Sequence, residues 1–128
     1  MSVSILIISH HEVGGALVNA AKNTYGKALP LVIALVEIQL NTDPDYLLPQ
    51  LEKRIQEINQ GDGVLILTDL FGATPSNIAQ RLQDEDVRIV SGLNLPMLIR
   101  VMNYPHLNLD QLADTALKGG QAGIMEGD

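Results

Sequence analysis

An α/β fold, an open, mostly parallel four-stranded sheet with helices on both faces, is predicted by three features of this 128-residue sequence. Four short runs of Val, Ile and Leu lack the strict alternation of a half-exposed strand, as strands covered on both faces do. Stretches with apolar residues at helical spacing separate those runs. The regular alternation of the two implies βαβ crossovers and therefore parallel pairing.

Val3-Ser4-Ile5-Leu6-Ile7-Ile8 forms the first run, β1. Leu17, Val18, Ala20, Ala21 and Tyr25 recur at helical spacing over residues 13–25, predicting α1, and Gly26 is its stop signal. Residues 31–38 repeat the buried-strand pattern as β2. Asn41-Thr42-Asp43-Pro44 supplies cap residues and a first-turn proline before the stripe Leu47, Leu48, Leu51, Ile55 and Ile58 of α2. Gly61-Asp62-Gly63 is a turn, and Val64-Leu65-Ile66-Leu67 is β3, ending at Asp69. Thr74-Pro75 opens α3, with Thr74 as the expected N-cap and Ile78, Ala79 and Leu82 facing inward. Residues 87–90 are β4, followed by a short α4 from Asn94 and Pro96 to Met102. Asn108 and Gln111 have capping-box spacing for α5 over Leu109, Leu112, Ala113, Ala116 and Leu117. Beyond it the Gly-rich C-terminus is expected to fray.

Bulk composition narrows the function. With 46% hydrophobic and 18% charged residues the chain is expected to fold as one domain over residues 1–128, and it has no apolar run of the ~18 residues that a membrane span needs. Its N-terminus enters β1 without a basic leader, which points to the cytoplasm. A net charge of −7 with only eight Lys and Arg argues against nucleic acid and favours small molecules or basic protein partners. The absence of cysteine excludes disulfides, thiol catalysis and cysteine-ligated metal. Neither a metal nor a cofactor is expected; His10-His11-Glu12 is a poor chelate, because adjacent histidines rarely share one ion.

The chemically competent side chains gather at three predicted strand ends: Ser9-His10-His11-Glu12 after β1, Asp69 to Thr74 after β3, and Ser91 to Asn94 after β4. In open α/β sheets that edge holds the ligand site. Histidine acts as base or nucleophile near neutral pH, and a carboxylate such as Asp69 can hold one ring nitrogen while the other attacks. Thr74 and Asn77 stand where α3 begins and can meet phosphoryl oxygens. Side-chain alternation is expected to turn His11 away from His10, and His106 reads as a solvated loop residue.

Ile7-Ile8-Ser9-His10, Thr68-Asp69-Leu70-Phe71-Gly72-Ala73-Thr74-Pro75-Ser76-Asn77 and Gly92-Leu93-Asn94-Leu95-Pro96-Met97-Leu98 resemble, in order, the three signature segments of the mannose-type enzyme IIA family of the bacterial sugar phosphotransferase system. The resemblance implies a flavodoxin-like sheet of strand order 2-1-3-4 and a homodimer. It implies a phosphocarrier in which His10 accepts a phosphoryl group from HPr and passes it to an enzyme IIB-type protein. Asp69 matches the residue that hydrogen-bonds the histidine and Thr74 the hydroxyl before the helix proline; Ser9 is assigned with Thr74 to the phosphoryl oxygens. Phe71 and Met97 are candidates for partner docking. The chain departs from the family in His11, where glycine is common, and in Gly14-Gly15, an unusual helix opening. Rival readings are the phosphotransferase subunit of dihydroxyacetone kinase, which Asn94-Leu95-Pro96-Met97 fits less well, and a non-enzymatic sensor on the same fold.

Overall fold

The computed structural model describes residues 2–127. The elements run β1 (Ser4–His10), α1 (Gly14–Tyr25), β2 (Ile33–Ile38), α2 (Pro44–Ile58), β3 (Val64–Thr68), α3 (Thr74–Gln80), β4 (Val87–Ser91), α4 (Leu95–Met102) and α5 (Leu109–Ala122). All strand pairs are parallel and their order is β2-β1-β3-β4, the expected topology. Strand order reverses between β1 and β3, so a crevice opens at their carboxyl ends.

Alternation along the central strands builds two cores. Ile5 and Ile7 of β1 join Leu65 and Leu67 of β3 beneath α1, α4 and α5. Leu6, Ile8, Val64 and Ile66 face α2 and α3 on the other side. The same parity sends Ser9 toward α1 and His10 toward α3.

Local signals account for most helix ends. The Asp43 carboxylate accepts from the Asp45 N–H ahead of α2, Asn108 and Gln111 form a reciprocal capping box on α5, and Gly26 closes α1 at φ 77°. Two expectations about the helices fail. Ala73, in extended geometry and without a side-chain cap, is the N-cap of α3, so Thr74 is its first helical residue. The Gly-rich stretch does not fray at once: Gly119 and Gly120 lie buried within α5. They are glycines because α4 passes so close; a Cβ on Gly119 would stand 2.6 Å from Arg100 Cβ. No described helix is long and apolar enough to cross a membrane.

Candidate active site

β1 outruns its apolar segment by two residues, pairing Ser9 with Glu37 and His10 with Ile38 in register, and so delivers His10 as the last residue of the strand. Asp69 is the first residue after β3, the neighbouring strand. One carboxylate oxygen, Asp69 Oδ2, lies 2.8 Å from His10 Nδ1 and also accepts the His10 backbone N–H at 3.1 Å. An ionised carboxylate only accepts, so Nδ1 carries the ring proton and Nε2 keeps its lone pair. The His10 side chain is 46% exposed, whereas that of Asp69 is 10% exposed. Asp69 Oδ1 is buried with no hydrogen-bond partner. A buried carboxylate so placed takes most of its compensation from His10.

His10, His11, Ile38, Gln39, Leu40 and Thr74 line a depression of ≈ 280 Å³. Of the sequence-predicted residues, His10, Asp69 and Thr74 therefore come together. Ser9 does not join them, which corrects its assignment to the phosphoryl oxygens. It is fully buried; its hydroxyl donates to the His10 carbonyl at 2.9 Å and accepts the Gly14 N–H at 2.8 Å, tying β1 to the start of α1. Met97 is corrected likewise: it is 2% exposed, on the inner face of α4 under Gly120. Phe71 is 75% exposed on the loop after β3, where it closes a ≈ 410 Å³ groove along β4 and α5.

His11 is turned to the other side of the strand end from His10, as alternation predicts: its backbone N–H bonds the Ile38 carbonyl at 3.2 Å, extending the β1–β2 ladder by one residue, and its ring meets Glu37, the partner of Ser9 in register. It also lines the rim of the depression. Its Nδ1 lies 3.5 Å from Glu37 Oε1 and its Nε2 lies 3.6 Å from Glu12 Oε1. Glu37 Oε2 accepts the Gly15 N–H at 2.9 Å. The N–H groups of Gly15 and Glu12 hold the Glu37 carboxyl below its ordinary range, and the nearby His11 adds to the effect. Glu12 sits at φ 69°, the left-handed region that non-glycine residues seldom adopt.

Sequence reading missed Glu37, although a lone acidic residue at the end of an apolar strand run was a signal for it. It also missed a chain of hydroxyls beneath the site. Thr68 Oγ1 donates to Ser91 Oγ at 2.7 Å, and Ser76 Oγ lies 3.3 Å from the same atom, joining the ends of β3 and β4 to α3. Among the described residues, no three His, Asp or Glu side chains are grouped as a metal site needs.

The family model described as "PTS system fructose IIA component" matches residues 4–117. The chain belongs to that family. His10, Asp69 and Thr74 all fall inside the matched span of this phosphotransferase-system (PTS) IIA chain. It is 29% identical over 113 residues to the "PTS system fructose-specific EIIA component" of Bacillus subtilis (strain 168), covering 86% of this chain and 76% of that protein. It is 23% identical over 128 residues to the "PTS system mannose-specific EIIAB component" of Escherichia coli (strain K12), with 97% of this chain covered. The IIA chain spans only 39% of that longer relative's length. The solved mannose/sorbose-specific IIA subunit from Enterococcus faecalis superposes at a TM-score of 0.86 with 25% identity, over 100% of this chain and 96% of that one.

Proposed function

We propose that this IIA-family chain is a phosphocarrier: His10 takes a phosphoryl group from phosphorylated HPr and gives it to an enzyme IIB-type acceptor, in sugar uptake or a regulatory relay. The observation that carries the reading is the 2.8 Å contact between His10 Nδ1 and Asp69, which leaves a ring nitrogen with a free lone pair at an exposed strand end. In the forward step, the Nε2 lone pair forms a bond to phosphorus as the donor's N–P bond breaks, and that electron pair returns to the donor nitrogen. The Nδ1 proton stays in place. His10 becomes an imidazolium bearing the phosphoryl group, and its positive charge faces the Asp69 carboxylate, which favours the phosphorylated state. Transfer onward is the same step reversed on a new acceptor, so the protein needs chiefly to position groups and balance charge. The Thr74 hydroxyl, beside the depression, is assigned to a phosphoryl oxygen. Leu40, Leu70 and Phe71, all exposed, form the apolar part of the face that receives HPr and the acceptor.

The test is incubation with phosphoenolpyruvate, enzyme I and HPr, read by intact mass and by base-stable, acid-labile labelling. The wild-type protein is expected to gain one phosphoryl group. His10→Ala is expected to gain none while keeping its circular dichroism, with a lower unfolding midpoint because the buried Asp69 carboxylate loses its ring partner. His106→Ala, changed on an exposed loop after α4, is expected to behave as wild type. Label persisting in His10→Ala, or failing to appear on wild type with active partners, overturns the proposal.

A further inference from the structure

We infer that Ser91 is a positioning residue for phosphoryl transfer: with Thr68 and Ser76 it fixes the start of α3, and so sets where the Thr74 hydroxyl stands relative to His10. The inference rests on the carrier reading above and adds to it the groups that hold its phosphoryl-binding side chain in place.

The segment 69–74 joins the two halves of the site, since Asp69 opens it and Thr74 closes it. Its two ends are held by different means. At the β3 end, the Thr68 carbonyl accepts the Gly92 N–H at 2.9 Å and the Leu93 N–H at 2.8 Å. That carbonyl lies in the same rigid peptide plane as the Asp69 N–H, so backbone bonds fix where Asp69 begins. Toward α3 the local bonds are long. The Ala73 N–H reaches the Leu70 carbonyl at 3.4 Å, and Asn77 Nδ2 reaches the Gly72 carbonyl at the same distance. Ala73 caps α3 without a side-chain bond, and the helix has only 7 residues. Local structure alone therefore leaves Thr74 loosely placed.

Ser76 supplies the constraint. Among the described residues, its 3.3 Å bond with Ser91 Oγ, on the last residue of β4, is the one hydrogen bond from α3 to the sheet. Ile78 and Ala79 also press α3 onto the sheet, but apolar packing is non-directional and resists sliding less than a hydrogen bond does. Thr68 Oγ1 donates to Ser91 Oγ at 2.7 Å, which occupies one lone pair and leaves the Ser91 proton for Ser76. Thr68 and Ser76 are buried, where a hydroxyl without a partner is costly, so the three groups hold one arrangement. Thr74 lies in the same helical turn as Ser76, and a shift of α3 against β4 is carried directly to its hydroxyl. Neither Ser76 nor Ser91 lines the His10 depression. Their influence on the reaction passes through Thr74.

The experiment measures single-turnover uptake from saturating phosphorylated HPr, so that any change in docking drops out. Wild type is compared with Ser91→Ala, Ser76→Ala, Thr74→Ala and the double variant Ser91→Ala with Thr74→Ala. Each serine variant is expected to slow uptake by about threefold to thirtyfold. The double variant is expected to be no slower than Thr74→Ala alone, because a residue that acts through Thr74 then has nothing left to position. Ser91→Thr keeps the hydroxyl at a half-buried position bordering the groove under Phe71, and is expected to restore the wild-type rate. Ile55→Val, a core change on α2, separates loss of stability from loss of position: it is expected to unfold at lower urea yet take up phosphoryl at the wild-type rate. Wild-type rates in both serine variants, slowing that multiplies with that of Thr74→Ala, or no recovery in a folded Ser91→Thr overturns this inference while leaving the carrier reading standing. A wild-type protein that takes up no phosphoryl group overturns both.

Discussion

The chemistry of this molecule turns on one oxygen atom. Asp69 Oδ2 serves the backbone N–H and the ring Nδ1 of His10 together, so a single acceptor sets both the position of the residue and the tautomer of its ring. In Asp69→Asn the amide oxygen can still face both donors, and the geometry survives. What disappears is the negative charge opposite an imidazolium that forms during transfer. We expect the phosphorylation rate to fall about tenfold to a hundredfold with little loss of stability, measured by single-turnover labelling beside a urea titration. That His10, Asp69 and Thr74 come together was legible because each closes or follows a strand at the same edge of the sheet. The burial of Ser9 was not, since its neighbour occupies the opposite face of the same strand. That of Met97 was not either, because a helix's inner face is decided by what packs on it.

Among the elements, α1 is the most tightly constrained to the site. Its opening pair, Gly14-Gly15, looks like a poor helix start until the packing is considered. A Cβ on Gly14 would stand 2.6 Å from Ser9 Oγ, 2.7 Å from Leu35 Cδ1 and 2.9 Å from Ile7 Cγ2. Ser9 and Ile7 are fully buried and have little room to move. Gly14→Ala is therefore expected to destabilise the protein by roughly 1–3 kcal/mol, despite the better helix propensity of alanine. The shift should also loosen the Ser9–Gly14 hydrogen bond and the 11–13 turn, so phosphoryl uptake should slow. Chemical denaturation and the labelling assay report the two effects separately. The Gly15 N–H also holds Glu37, the carboxylate beside His11.

At the scale of the whole molecule, β1 and β3 are covered on both faces and flanked on both sides, whereas β2 and β4 are edges. Hydrogen exchange should follow that order. Amides of Ile5 to Ile8 and Val64 to Leu67 are expected to exchange only through global unfolding, and those of β2 and β4 through smaller openings. Faster exchange in β3 than in β4 would contradict the description. The site thus stands at the ends of the two central strands, and His11, Glu12 and Leu40 lie on the loops beyond β1 and β2.

The fold class, the sequence of elements and the edge that carries the chemistry were all written locally, in the period of apolar residues and in turn and cap residues a few positions apart. Periodicity survives in a linear chain because it reflects only which face of one element meets the core. The pairing of His11 with Glu37, the burial of Ser9, the hydroxyl chain from Thr68 through Ser91 to Ser76, and the glycines that let α5 lie against α4 were decided by tertiary structure. Each depends on how far a strand extends past its apolar run, or on how closely two elements approach. No short stretch of sequence encodes those quantities, since they follow from the register of strands and the packing of side chains brought together from distant parts of the chain.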